Sequence, residues 1–104
     1  MKIEITKTHA NQIDELVINS KPGELLEFGD IGLIVFGKKG VGGIVGRYIF
    51  DNRGRLPGWW RIVNRSGHPV ADVDAITQLS CEGHQLRNGS IIGYRRNTQT
   101  FSMV

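Results

Sequence analysis

Residues 31–50, Ile31-Gly32-Leu33-Ile34-Val35-Phe36-Gly37-Lys38-Lys39-Gly40-Val41-Gly42-Gly43-Ile44-Val45-Gly46-Arg47-Tyr48-Ile49-Phe50, decide the fold. Two apolar, β-branched runs flank a glycine-rich segment that carries two lysines. Ile31–Phe36 is nearly continuous in apolar residues, as expected of a strand buried on both faces. Ile44–Phe50 has strong β propensity, which makes residues 37–43 the loop of a hairpin. Working outward, Glu24–Phe28, Trp59–Val63, Ser90–Arg95 and Thr98–Met103 also read as short strands. Turn chemistry separates them at residues 19–23, 51–54, 64–69 and Asn88-Gly89. Residues 2–6 alternate and read as a first strand. Thr8–Ile18 reads as a short helix capped by Thr8, with Ile13, Leu16 and Val17 on one face. Residues 70–86 fit a strand or a helix. The expected fold is therefore all-β or β-dominated α+β: a small single-domain barrel or sandwich over residues 1–104 with one short N-terminal helix.

The chain has 104 residues, one domain's worth, with no apolar run near membrane-spanning length. Its start lacks the apolar stretch of a secretion signal, so a cytoplasmic location is expected. One cysteine excludes an intrachain disulfide and a cysteine-based zinc cluster. The net charge of +3 is unevenly placed: residues 1–30 hold six acids against three lysines, whereas residues 31–104 hold ten basic groups against four acids. Every arginine lies at or after position 47. Such polarity points to an acidic partner for the middle of the chain.

That middle segment interleaves cations with aromatics, Arg47-Tyr48-Ile49-Phe50 through Arg53 and Arg55 to Trp59-Trp60-Arg61. With strand alternation, Arg47, Trp59 and Arg61 share an outer face and Arg53 and Arg55 occupy the adjoining turn. Guanidinium groups beside an exposed indole suit phosphates and a stacked base, or a protein interface. The leading expectation is a non-enzymatic binding or regulatory module that engages nucleic acid, or the acidic surface of a nucleic-acid-handling protein. Its candidate contacts are Arg47, Arg53, Arg55, Trp59 and Arg61.

The other chemistry-bearing residues assemble no signature. Gly37-Lys38-Lys39-Gly40 lacks the Ser or Thr of a phosphate-binding loop, and the segment after it reads as a strand where such a loop opens a helix. His9, His68 and His84 have no metal-ligand spacing, so neither a metal nor a cofactor is expected. Two alternatives remain: a small hydrolase (dependent on Ser20, or a ribonuclease using His68 or His84) and a structural homo-oligomer subunit.

Ser20-Lys21-Pro22 followed by Gly29-Asp30-Ile31, then Asn64 through His68-Pro69, then Gly89-Ser90-Ile91-Ile92-Gly93-Tyr94-Arg95-Arg96, resemble short motifs of LexA-like self-cleaving repressors. The resemblance spans residues 20–96 and implies a related β fold. It departs from that family at the chemistry: the general base there is a lysine on a later strand, and Lys39 is the last lysine of this chain. Arg47, the nearest cationic residue on an expected strand, stays protonated and cannot activate Ser20. The resemblance thus implies the fold without the protease.

Overall fold

A computed structural model describes residues 4–94. Its elements run α1 (Lys7–Ile18), β1 (Leu26–Glu27), α2 (Phe28–Phe36), α3 (Gly42–Asn52), β2 (Ile62–Val63), α4 (Val73–Cys81), β3 (Leu86–Arg87) and β4 (Ser90–Ile91). Single 3-10 turns at Arg53–Arg55 and Trp59–Arg61 connect α3 to β2. Helices dominate, and this corrects the β-dominated barrel or sandwich expected from the sequence. Among the described residues, strand structure consists of two two-stranded sheets and an isolated bridge between Val63 and Pro69: β1 pairs with β2 in parallel, and β3 pairs with β4 in antiparallel. The expected strand at residues 98–103 lies outside the described residues. No helix among the described residues is long and apolar enough to cross a membrane.

The two segments read as strands are the helices α2 and α3, and their burial follows a helical period. Ile31 and Val35 point inward from α2, and Val41, Val45 and Ile49 recur every fourth residue along α3. The outward positions of α2 conceal this period because Leu33 and Ile34 are themselves apolar and exposed. Glycines explain why two such helices pack at all. A Cβ on Gly32 would come within 2.5 Å of Val41 Cγ2, and one on Gly42 within 3.1–3.2 Å of the Gly29 backbone. The helix pair approaches to distances that only glycine allows. Gly37 ends α2 in the left-handed conformation, φ 69°, and turns the chain into residues 38–41. The 37–43 segment is thus a helix-to-helix turn rather than a hairpin loop.

The expected N-terminal helix is present, with its cap at Thr6, two residues earlier than anticipated. Thr6 Oγ1 accepts from the His9 backbone N–H at 3.2 Å, and His9 Nδ1 accepts from the Thr6 N–H at 3.3 Å. This reciprocal pair is a capping box with histidine in the usual Glu position. Residues 73–81 resolve as helix. Asp72 caps them by accepting from the Asp74 N–H at 2.9 Å. Asn88 and Gly89 both take positive φ, 54° and 80°, as a tight β3–β4 turn requires.

One core gathers Ile13 and Val17 of α1, Ile31 and Val35 of α2, Val45 and Ile49 of α3, with Leu56, Trp59, Ile62, Val70 and Ala75. Each fully buried aliphatic contributes about 1.5–3 kcal/mol. A smaller cluster of Val63, Leu79 and Ile91 seats the β3–β4 hairpin.

Candidate functional site

The structure does not bring the five candidate contacts together on one face. Trp59 is 9% exposed and Arg61 8%, because residues 59–61 coil into a 3-10 turn whose side chains enter the core. Their expected solvent-facing placement is corrected accordingly. Arg61 donates to Glu82 through Nε, 3.0 Å to each oxygen, and through Nη2, 2.6 Å to Oε2. Its Nη1 donates to the Ser20 carbonyl at 2.8 Å and to Ser20 Oγ at 3.3 Å. Glu82 also accepts from Trp60 Nε1 at 2.9 Å and from the Gly23 N–H at 3.1 Å. The Arg61 guanidinium, aided by the Gly23 and Trp60 donors, outweighs burial and holds the Glu82 carboxyl down to about 2.

Arg53 and Arg55 occupy a turn, as expected, but face different elements. Arg53 donates from Nε to Asp72 Oδ2 at 2.6 Å. Arg55 donates to Asp14 Oδ2 on α1 at 3.0 Å and to the Tyr48 hydroxyl at 2.8 Å, and Tyr48 donates onward to Asp14 Oδ1 at 2.8 Å. Burial and the hydrogen bond to Asp14 raise the Tyr48 phenol above its usual range. The Asp74 backbone N–H and then Arg53 lower the Asp72 carboxyl. Arg47 and Arg55 are both exposed, with 79% and 53% of their side chains accessible, and among the described residues Arg47 is held by Asp51, one helical turn on, at 3.1 Å.

Arg47 opens onto a cleft of about 840 Å³ that strand alternation had not anticipated. One wall is the outward face of α3, made of Gly42, Gly43, Gly46, Arg47 and Phe50. Phe28 lines the same space, and its ring passes 3.7 Å from the Cβ position of Gly46. Lys39, from the helix-to-helix turn, and Arg65, from the turn after β2, add cations to the lining. Among the described residues, neither Lys39 nor Arg65 makes an ion pair. Two acids belong to the lining as well. Glu27 is 5% exposed and accepts a hydrogen bond from the Tyr94 hydroxyl, and Asp30 lies in the first turn of α2. Asn64 completes the polar contributors, its Oδ1 accepting from the N–H groups of Ser66 and His68 at 2.9 and 3.0 Å.

Sequence reasoning missed Lys39, Arg65, Phe28 and the glycine face of α3 as parts of one site. Reading Val41, Val45 and Ile49 at four-residue spacing as a helix would have put Gly43 and Arg47 together on the opposite side.

The residues considered for hydrolysis do not line this cleft. Ser20 is 8% exposed, and its hydroxyl donates to the Val17 carbonyl at 2.6 Å. His68 is exposed in a turn, and the buried Nε2 of His84 has no hydrogen-bond partner among the described residues. The sequence matches no protein-family model and no curated protein.

Proposed function

We propose that this protein is a nucleic-acid-binding module that docks through α3 and the cleft beside it. The observation that carries the reading is the composition of that cleft: three cations, two phenylalanine rings and a helix face of glycines border one open space. Phosphates are met by Lys39, Arg47 and Arg65, two of which have no internal counter-ion among the described residues. Gly43, with nothing within 4 Å of its Cβ position, lets a sugar–phosphate strand approach the helix backbone closely. Phe28 and Phe50 supply apolar surface on which an unstacked base can rest, an interaction worth about 1–3 kcal/mol. The acids in the lining work against phosphate, but Glu27 is only 5% exposed and engaged by the Tyr94 hydroxyl. Two helices joined by a glycine-bearing turn are also a common arrangement for presenting the second helix to a nucleic-acid groove.

Binding to single-stranded and duplex oligonucleotides across a salt series tests this. With about three phosphates neutralised on a duplex, log affinity should fall against log salt with a slope of about −2.7. Replacing Lys39, Arg47 and Arg65 together by alanine should abolish that slope at unchanged melting temperature. Undetectable binding by the unmodified protein at about 50 mM salt, where phosphate contacts are strong, would remove the proposal. Salt-independent binding would show that Lys39, Arg47 and Arg65 do not meet phosphates, and would overturn this reading of the cleft.

A further inference from the structure

Phe50 borders the cleft, but the group that holds its ring does not. The guanidinium carbon of Arg53 lies 4.0 Å from the Phe50 ring centroid, and Arg53 Nη1 donates to the Phe50 carbonyl at 2.6 Å. Its Nε donates to Asp72 Oδ2 at 2.6 Å. Asp72 is fixed in turn, because its other oxygen caps α4. Val70 and Ala71, immediately before Asp72, line the cleft, whereas Arg53 is absent from the lining. The planar fork of arginine therefore reaches a ring, a carbonyl and a carboxylate at once from behind the wall.

We infer that Arg53 is a positioning residue: clamped by Asp72, it covers one face of the Phe50 ring and fixes that ring as a wall of the nucleobase site. The sequence reading had Arg53 as a direct contact, and the geometry gives it an indirect role. A cation over an aromatic face is attracted to the ring quadrupole. A ring already immobilised spares an incoming base the entropy of ordering it. This inference rests on the proposed function, since only a ligand that stacks in the cleft benefits from a fixed Phe50.

The test compares the full chain with Arg53→Met, Arg53→Lys and Asp72→Asn. Asparagine caps helices as well as aspartate does, so Asp72→Asn removes the charge while preserving the start of α4. Two readouts are needed: affinity for a dye-labelled single-stranded oligonucleotide over a salt series, and the NMR resonances of the Phe50 ring in the free protein. Arg53→Met should weaken binding about three- to fivefold, as expected for a lost cation–π contact, at unchanged salt slope. The free-protein Phe50 resonances should shift toward averaged values. Asp72→Asn should act in the same direction, and Arg53→Lys, which keeps the ion pair but not the plane, should fall between. A salt slope reduced by about one in Arg53→Met would mean that Arg53 contacts phosphate itself, and the inference would fail. Unmoved Phe50 resonances would also overturn it. If the unmodified protein binds no oligonucleotide while those resonances still move, the proposed function falls and the clamp on Phe50 stands.

Discussion

Nη2 of Arg61 lies 2.6 Å from Oε2 of Glu82, with only a tenth of either side chain exposed. The pair joins the 3-10 turn before β2 to the residue that ends α4. Its remaining donors and acceptors reach Ser20 and Gly23, so the chain after α1 is tied to the same point. Charges this far from water are tolerable because they are well partnered: the carboxylate accepts five hydrogen bonds from four nitrogen donors, and all three guanidinium nitrogens donate to oxygen.

Breaking that pair should therefore cost far more than a surface ion pair would. Arg61→Ala leaves the Glu82 charge buried without its main partner, for an expected loss of about 3–5 kcal/mol. That is a large share of the roughly 5–15 kcal/mol available to a domain. Urea titration measures it. Replacing both members by apolar residues of similar volume, Arg61→Met with Glu82→Leu, should recover much of the loss. A single variant that loses less than about 1 kcal/mol, the range of exposed pairs, would show that the network is not closed as described.

The same pair sets a limit at low pH. Glu82 titrates at about 2 in the folded chain against an ordinary 4.5. A depressed carboxyl contributes stability that is complete above its unfolded value and is lost as pH falls through the folded one. The window runs from about pH 5 down to about pH 2, over which about 3 kcal/mol is withdrawn. Melting temperature should decline across that interval, and Glu82→Gln, destabilised at neutral pH, should show a shallower decline. Parallel acid profiles for the two proteins would contradict this assignment.

The sequence signalled features that depend on short-range chemistry. The N-terminal helix, the Asn88-Gly89 turn and the concentration of cations after residue 38 were each visible locally. What escaped was any feature whose local signal points the wrong way. Ile31–Phe36 has the composition of a buried strand, yet it lies in a helix that packs closely on the start of α3 through Gly32 and Gly42. Tertiary packing overrides propensity there. Arg61 and Trp59 have the composition of an exposed patch, yet a distant acid, Glu82, draws the guanidinium inside. The cleft was invisible because its lining comes from five separate stretches, none of which carries a motif.

Glycine substitutions separate packing from propensity within α2. Gly29 and Gly32 both occupy this helix, where alanine is favoured by up to about 1 kcal/mol. Nothing lies within 4 Å of a Cβ on Gly29, whereas a Cβ on Gly32 meets Val41 Cγ2 at 2.5 Å. Gly29→Ala should hold or raise the melting temperature. Gly32→Ala should lose about 1–3 kcal/mol through overpacking, and a second change, Val41→Ala, should return part of it. Equal effects of the two alanines would refute the close approach of α2 to α3.

The glycine face of α3 permits a test in which stability and binding move in opposite directions. Gly43 is exposed on the cleft side of the helix, and nothing lies within 4 Å of its Cβ position. Leucine there improves helix propensity by about 0.5–1 kcal/mol without meeting a neighbour, so Gly43→Leu should melt at or above the temperature of the unmodified chain. The same side chain projects into the space where a nucleic-acid strand is proposed to approach. Oligonucleotide affinity should drop by more than about tenfold, the equivalent of about 1.4 kcal/mol, with little change in salt slope because the cations remain. Calorimetric melting and anisotropy titration of one preparation read both effects. A stable Gly43→Leu variant that binds as tightly as the unmodified protein would place any nucleic-acid contact away from this helix face, because no strand could then be using the clearance at Gly43.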